Sequence, residues 1–543
     1  MKIFKLCKAY LSKCKNSLII YVILIFATSA ISIAIPYITG NFFDILIDAS
    51  EILPVLKFSL LIVGFSLIRI IKNYFTTLIH SRVSAIMAFE FNQDVIDHIQ
   101  NLSLSYTQKN DNAYMNSRVN SDVTSLIGFC MSVFQNIVMN LIMIIIPLII
   151  LIRVNWVLSF ILLFFVALYC ILFNIFKNSI YTSGYELRES QNMFLSSLFD
   201  RLNYIRFIKT NSIQSEISLK TKLSFSNLYD KIIYNQKVNY LYSSLEGVVS
   251  ICAQVSLFIL GGIQVVRGIF TIGMFTVFIS YFNMILNAGR YFFGLGGFYR
   301  SVLASHDRIK NILDLHPEKN GTTKIDDVFK IEMKDINFTY SNNIKKVIEE
   351  FNFSFRKGNI YLLYGKNSVG KSTILNLLIG MYVDEVKGKI IYNDIDIRKI
   401  NMYEVRKNFI GFADQDAILL NDSIDFNITY KNSPNESLLK IKKKSFFVEL
   451  LNILNMRSFI TNNNKFKQMP EEISSGEKHK ISILKVLNKN PAVMIFDESI
   501  AAMDEDVVNQ LMKYLNKIKK NKIIIFAARD FTLRDFCDII IEM

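Results

Sequence analysis

Two short stretches of this 543-residue chain bring together residue types suited to handling a polyphosphate. The first, Gly365-Lys366-Asn367-Ser368-Val369-Gly370-Lys371-Ser372-Thr373, has the spacing Gly-x4-Gly-Lys-Ser/Thr. Glycines let the backbone wrap closely, so that successive N–H groups and a helix N-terminus face one anion. Lys371 then brings a point charge to the β- and γ-phosphates, and Ser372 a hydroxyl ligand for Mg2+. The second stretch is Asp497-Glu498. Asp497 suits Mg2+ binding, directly or through water, while Glu498 suits orienting or deprotonating an attacking water.

Such residues act only if the right elements hold them. Ile360 to Tyr364 reads as a strand and Ile374 to Ile379 as an apolar helix, so the glycine-rich stretch lies between strand and helix, as phosphate binding requires. Val493 to Phe496 is a run of four apolar residues, the pattern of a parallel strand buried on both faces. Asp497 therefore falls at the carboxyl edge of a sheet, where α/β folds place ligands. An Asp-Glu pair after a strand is otherwise commonplace, and it gains weight here from the neighbouring phosphate loop.

The rest of the chain is made for a different solvent. Hydrophobic residues are 51% of the whole, charged residues only 20%, and the formal net charge is +15; mean hydropathy is +0.31. Disordered or nucleic-acid-binding tails are poor in apolar residues and are excluded. Residues 1–316 hold 26 Lys and Arg against 16 Asp and Glu, and the remainder hold 35 against 30, so charge is denser in the second part. A bilayer span needs about 20 apolar residues. Uncharged runs of that length occur at 16–43, 123–152, 154–176, 247–266 and 268–289. A sixth run, 54–78, has Lys57 close to its start and is interrupted by Arg69 and Lys72, which are expected near one end, where long side chains reach headgroups. The spans are thus placed near 17–39, 54–78, 127–151, 155–176, 247–266 and 268–289.

Lys and Arg set the orientation. The N-terminus and the segments 79–122 and 177–246 carry seventeen of them, against three in the short connections on the other side. By the positive-inside rule the N-terminus and both long segments face the cytoplasm, and so does the part after the sixth span. The long segments read as helices that continue past the membrane and turn near Leu102 to Asn116 and Asp200 to Ser212. The six cysteines show no CxxC spacing, so neither disulfides nor structural zinc are expected. The expected fold is a multi-pass α-helical membrane domain over 1–316, a linker over 317–328, and an α/β P-loop nucleotide-binding domain over 329–543.

In these residues the chain resembles an ABC transporter of the exporter type, a half-transporter whose six spans precede one ATP-binding domain, and the likeness covers nearly its whole length. The resemblance implies ATP and Mg2+. It assigns Tyr340, in Phe338-Thr339-Tyr340, to stacking on adenine. Gln415, in Phe412-Ala413-Asp414-Gln415-Asp416, matches the glutamine that contacts Mg2+ and couples to the membrane helices, with Ser372 and Asp497 as the other metal residues; Glu498 takes the catalytic place. Ile473-Ser474-Ser475-Gly476-Glu477 stands where the family has its LSGGQ signature, which contacts ATP bound by the partner subunit, although Ser475 and Glu477 depart from it. The residues by themselves fit a capping box equally well, Ser474 with Glu477 three positions on. Ala501-Ala502-Met503-Asp504 resembles the D-loop with its first Ser replaced. After Ile523-Ile524-Ile525-Phe526, Ala528 occupies the place of the family's switch histidine, Arg529 beside it is a candidate to compensate although nothing in the sequence shows that it does, and none of the five histidines aligns there. Losing one such preorganised donor typically costs about 3 kcal/mol, a factor of roughly 10² to 10³ in rate.

What the resemblance implies is ATP-driven export of a substrate by a dimer in the cell membrane; spans rich in Phe, Tyr and Asn with few charges suit a peptide or amphipathic compound as cargo, although the same residues pack any helical bundle. The altered signature and Ala528 keep a second reading open, a weakly or non-hydrolysing regulatory subunit of a heterodimer. Either way the expected partners are the lipid bilayer and a second half-transporter, a heterodimer being favoured over a homodimer, with no nucleic acid.

Overall fold

The computed structural model describes residues 2–48, 52–109, 112–340, 346–430, 445–456, 458–459, 468–501, 503–529 and 532–543. The chain divides into two compact units, residues 1–97 with 116–314, and residues 98–115 with 315–543.

The first unit is helical: α1 (Lys2–Lys13), α2 (Lys15–Asp48), α3 (Ile52–Gln100), most of α5 (Asn112–Val154), α6 (Trp156–Asn203), α7 (Ile205–Thr210), α8 (Gln214–Val266) and α9 (Ile272–Leu313). Six of these are long and apolar enough to cross a membrane. At 1.5 Å per residue the 53 residues of α8 extend about 80 Å, far more than the roughly 30 Å of hydrocarbon in a bilayer, so the helices continue well beyond any membrane. The buried residues of α3 include Lys72, Thr76, Val83, Met87, Phe91 and Val95, one stripe at helical spacing.

Lys72 departs from expectation. Arg69 is exposed, but Lys72 is only 7% exposed and its ammonium donates to the Thr28 hydroxyl on α2. A buried cation needs a hydrogen-bond acceptor, and the α2 hydroxyl supplies one where headgroups were anticipated.

Small residues set the crossing of α2 and α9. A Cβ on Gly273 would lie 2.1 Å from the Gly40 carbonyl oxygen and 2.4 Å from the Asp44 carboxylate. Asp44 uses that approach: Oδ1 accepts the Gly273 N–H (2.6 Å) and Oδ2 accepts the Thr271 hydroxyl (2.8 Å), capping the start of α9 from a neighbouring helix. Farther along, Asp122 accepts from Arg308 Nε (2.8 Å) and Ser305 Oγ (2.8 Å), tying α5 to α9 through a buried carboxylate.

The second unit holds the helix α4 (Leu104–Lys109) and two sheets. Leu104 packs against the unit's hydrophobic core, and the Glu318 N–H donates to the Asn101 carbonyl (2.7 Å), which is why the turn 98–115 groups with this unit. The antiparallel sheet has the order β2 (Ile348–Arg356), β1 (Lys330–Phe338), β4 (Lys387–Tyr392), β5 (Ile395–Asp396); the parallel sheet has the order β6 (Ile410–Ala413), β7 (Val493–Asp497), β8 (Ile523–Ala528), β3 (Ile360–Tyr364), β9 (Ile539–Glu542). Alternate residues of the central strands enter opposite cores. Ile360, Leu362, Met494, Phe496, Ile524 and Phe526 join the core covered by α12 (Ile424–Thr429), α13 (Ser445–Ile453), α14 (Ser475–Lys489) and α15 (Glu505–Ile518). Tyr361, Leu363, Val493, Ile495, Ile523 and Ile525 join the core that includes α10 (Lys371–Leu378) and α11 (Met402–Asn408). Both faces being buried, the strands are continuously apolar.

The α2–α9 crossing is testable. Gly273→Val should destabilise the protein by about 1–3 kcal/mol or prevent folding, whereas Gly64→Val, with nothing within 4 Å of its Cβ, should melt like the parent. Thermal unfolding of the detergent-solubilised full chain measures both.

Candidate functional site

Strand register places the site. Tyr364 pairs with Ala528, Ala527 with Asp497, and Phe496 with Ala413. Four parallel strands therefore end at one level, and the residues after them meet at that edge: Gly365 to Gly370 beyond β3, Glu498 beyond β7, Asp414 and Gln415 beyond β6, Arg529 beyond β8.

The phosphate loop takes a backbone shape only some residues permit. Gly370 caps α10 with φ +105°, and a Cβ there would press on the Val347 carbonyl at 3.1 Å; Ser368 also has positive φ, +65°. Left-handed residues of this kind fold N–H groups toward a common anion. The Lys371 side chain is 4% exposed. Its Nζ donates to the carbonyls of Gly365 (2.7 Å) and Lys366 (3.0 Å) and lies 3.6 Å from Glu498 Oε1. The loop is thus wrapped around its own lysine.

Beside it, Asp497 is 2% exposed. Burial pushes its carboxyl above the usual range; Glu498 and Asp414 push the same way, and the Ser372 hydroxyl bonded to it and the Lys371 charge oppose them. Its Oδ1 is buried without a hydrogen-bond partner. An orphaned carboxylate oxygen next to a hydroxyl is a donor set for a hard cation. Among the described residues no three of His, Cys, Asp or Glu converge as a ready-made cage, which suits Mg2+, an ion that takes few protein ligands and fills its shell with water and phosphate oxygens. The residues therefore fit Mg2+.

Tyr340 stands at the loop's flank. Its hydroxyl pairs with Thr373 Oγ1 at 2.9 Å, and its ring meets Phe338 and Tyr382 edge-on, with centroids 4.8 and 5.6 Å away. Gln415 is exposed two residues past β6. Ser474 to Glu477 open α14, whose buried side belongs to the core on the opposite face of the sheet from α10. There the Glu477 N–H donates to Ser474 Oγ (3.3 Å), and Glu477 Oε2 accepts from the Ser474 N–H (3.1 Å). The capping box is formed, and it leaves Ser474, Ser475 and Gly476 exposed. Within the D-loop stretch, Ala502 lies outside the described residues.

Arg529, next to Ala528, gains its partner only in three dimensions. Arg529 Nε donates to Glu498 Oε2 at 2.5 Å, so Glu498 sits between two cations. Arg529 follows an alanine at the end of a strand, and no motif marks it as a partner of Glu498.

Two outcomes follow from this geometry. Asp497→Asn removes a buried charge and should raise the nucleotide-free melting temperature by about 2–4 °C per kcal/mol relieved, while abolishing the extra stabilisation that Mg2+ adds to ATP, as read by thermal shift with and without chelator. Ser474→Ala should cost about 1 kcal/mol of stability, and adding Glu477→Ala should cost less than the two single losses together, since both act in one cap.

Comparison with known proteins places this arrangement. The description "ABC transporter transmembrane region" matches residues 18–288, and the description "ABC transporter" matches residues 348–501. An ATP-dependent lipid A-core flippase of Syntrophus aciditrophicus is 27% identical over 285 residues, 51% of this chain and 46% of that protein. A lactococcin-G-processing and transport ATP-binding protein of Lactococcus lactis is 23% identical over 355 residues, 64% of this chain and 49% of that protein. The chain thus spans about half the length of these two relatives. The solved structure of a bacterial Atm1-family ABC exporter with ATP bound superposes with a TM-score of 0.80 at 16% identity, covering 98% of this chain and 93% of that one, and so shares its fold. A helical membrane region followed by a phosphate-loop sheet domain, matched in both halves, makes this chain an ABC transporter of the exporter type, built as a half-transporter.

Proposed function

We propose that the chain is one half of an exporter that hydrolyses ATP at the carboxyl edge of the parallel sheet to move a substrate across the cell membrane, with its N-terminus and ATP-binding domain cytoplasmic. The observation that carries this reading is the convergence of Lys371, Ser372, Asp497 and Glu498 within one nearly buried corner, where the phosphate cation lies 3.6 Å from the carboxylate of the base.

In this reading Gly365 to Thr373 wrap the β- and γ-phosphates with backbone N–H groups, and Lys371 exchanges its loop carbonyls for phosphate oxygens. Tyr340 offers its ring to adenine beside Thr373. Ser372, Asp497 and Gln415 hold Mg2+, which supplies positive charge against the phosphate oxygens when bound. Glu498 orients a water and takes its proton as the new P–O bond forms and the bond to the leaving ADP oxygen breaks. Ser474, Ser475, Gly476 and Glu477 face the nucleotide held by a partner half-transporter. Their exposure at the start of α14 supports that role.

A carboxylate in the signature and an alanine at the switch position both weaken a homodimer, which would carry each defect twice. We therefore favour a heterodimer whose partner supplies an intact signature over this subunit's ATP. The same two departures support the alternative of a weakly hydrolysing regulatory subunit. The cargo we propose is a peptide or an amphipathic compound, in keeping with the lipid A-core and lactococcin-G named for two relatives.

Vanadate-sensitive ATPase of the purified chain, alone and with a co-expressed second half-transporter, separates these possibilities. Glu498→Gln should cut turnover by at least about 10² and Lys371→Ala should weaken ATP binding. Robust turnover by the lone chain that Glu498→Gln abolishes would remove the need for a heterodimer, and turnover indifferent to Glu498 would defeat the catalytic assignment.

A further inference from the structure

Arg529 is the feature that the motifs leave unexplained. Ala528 stands at the place of the switch histidine, its methyl packs against the helix-covered core beyond Phe526, and it offers no donor. One residue on, the guanidinium reaches Glu498. The Glu498 side chain is 10% exposed and that of Arg529 51% exposed, so a nearly buried carboxylate is met by a cation from the open side and by Lys371 from the closed side.

The backbone makes this meeting specific. Glu498 has φ +45°, a conformation that a residue with a Cβ adopts only under constraint. Its N–H donates to the Ala527 carbonyl at 3.0 Å, so the end of β7 is pinned to the end of β8. Arg529 follows Ala527 by two residues. Strand register thus fixes both partners, and a charge-assisted N–H···O bond of 2.5 Å joins them.

We propose that Arg529 is the positioning residue for Glu498, standing in from the next position for the histidine that Ala528 replaces. Lys371 and Arg529 share the carboxylate. When phosphate draws Lys371 away, Arg529 alone holds the carboxylate at the strand edge, aimed at the water. A guanidinium suits this task because it is always charged and keeps a rigid donor plane. The proposal rests on the hydrolytic reading of Glu498 given above.

The test uses the full-length protein in lipid nanodiscs with Mg-ATP, alone and together with a co-expressed second half-transporter. Arg529→Ala should lower kcat about tenfold or more, the penalty of a misplaced catalytic group, with KM for ATP changed less than about twofold. Arg529→Lys should recover part of the loss and Arg529→Met none. Hydrogen exchange of the nucleotide-free protein should quicken over residues 496–501 in Arg529→Ala, with the phosphate loop 365–373 unaltered. Unchanged kcat, or a raised KM at constant kcat, overturns the proposal, and so does a loss of kcat without the local change in exchange. If wild-type turnover exceeds that of Glu498→Gln neither alone nor with the second half-transporter, the hydrolytic reading falls instead, and exchange alone decides for Arg529: quickened exchange upholds its hold on Glu498, and equal exchange overturns it.

Discussion

Backbone pairing along the parallel sheet, buried on both faces, is the constraint on which the candidate site depends. Alternate side chains of β3, β7 and β8 enter two separate cores, so a slip of one residue would send every apolar side chain to the wrong face. That makes the register stiff. Because Tyr364, Asp497 and Ala527 to Ala528 are locked at one level, the groups that follow them are delivered together without any contact among those groups having to pay for their placement.

Electrostatics then works within that frame. At the strand edge the buried Asp497 is held above its ordinary range chiefly by desolvation, with Glu498 and Asp414 pushing the same way. Such a corner is unfavourable by itself, and cations relieve it: Lys371 and Arg529 approach Glu498, while Asp497 keeps one oxygen without a partner. The groups crowded at this edge are those a triphosphate and its metal would separate. Stored repulsion and satisfied cations are two sides of one arrangement, ready to be exchanged for phosphate contacts.

The membrane unit solves its polar problem differently. With lipid tails as apolar as leucine, close backbone approach and isolated hydrogen bonds hold helices together. Gly40 and Gly273 give α2 and α9 that approach, and Asp44 fills the gap with two hydrogen bonds to the start of α9. Lys72, buried against Thr28, follows the same rule of pairing each buried polar group locally.

Much of this was legible in the residues themselves. Long uncharged runs read as helices that hide their backbone from lipid, and Gly365 to Thr373 between a strand and a helix carries the pattern of a phosphate-binding loop, because both follow from local chain chemistry. The capping box at Ser474 and Glu477 was equally readable, being a contact across three residues. What the tertiary structure alone decided involves partners distant in the chain: Thr28 for Lys72, Asp44 for the start of α9, the grouping of residues 98–115 with the second unit, and Arg529 for Glu498, 31 residues away. No local preference encodes those pairings. They exist because two strands or two helices are held in a particular register, and register is a property of the packed core rather than of any short segment.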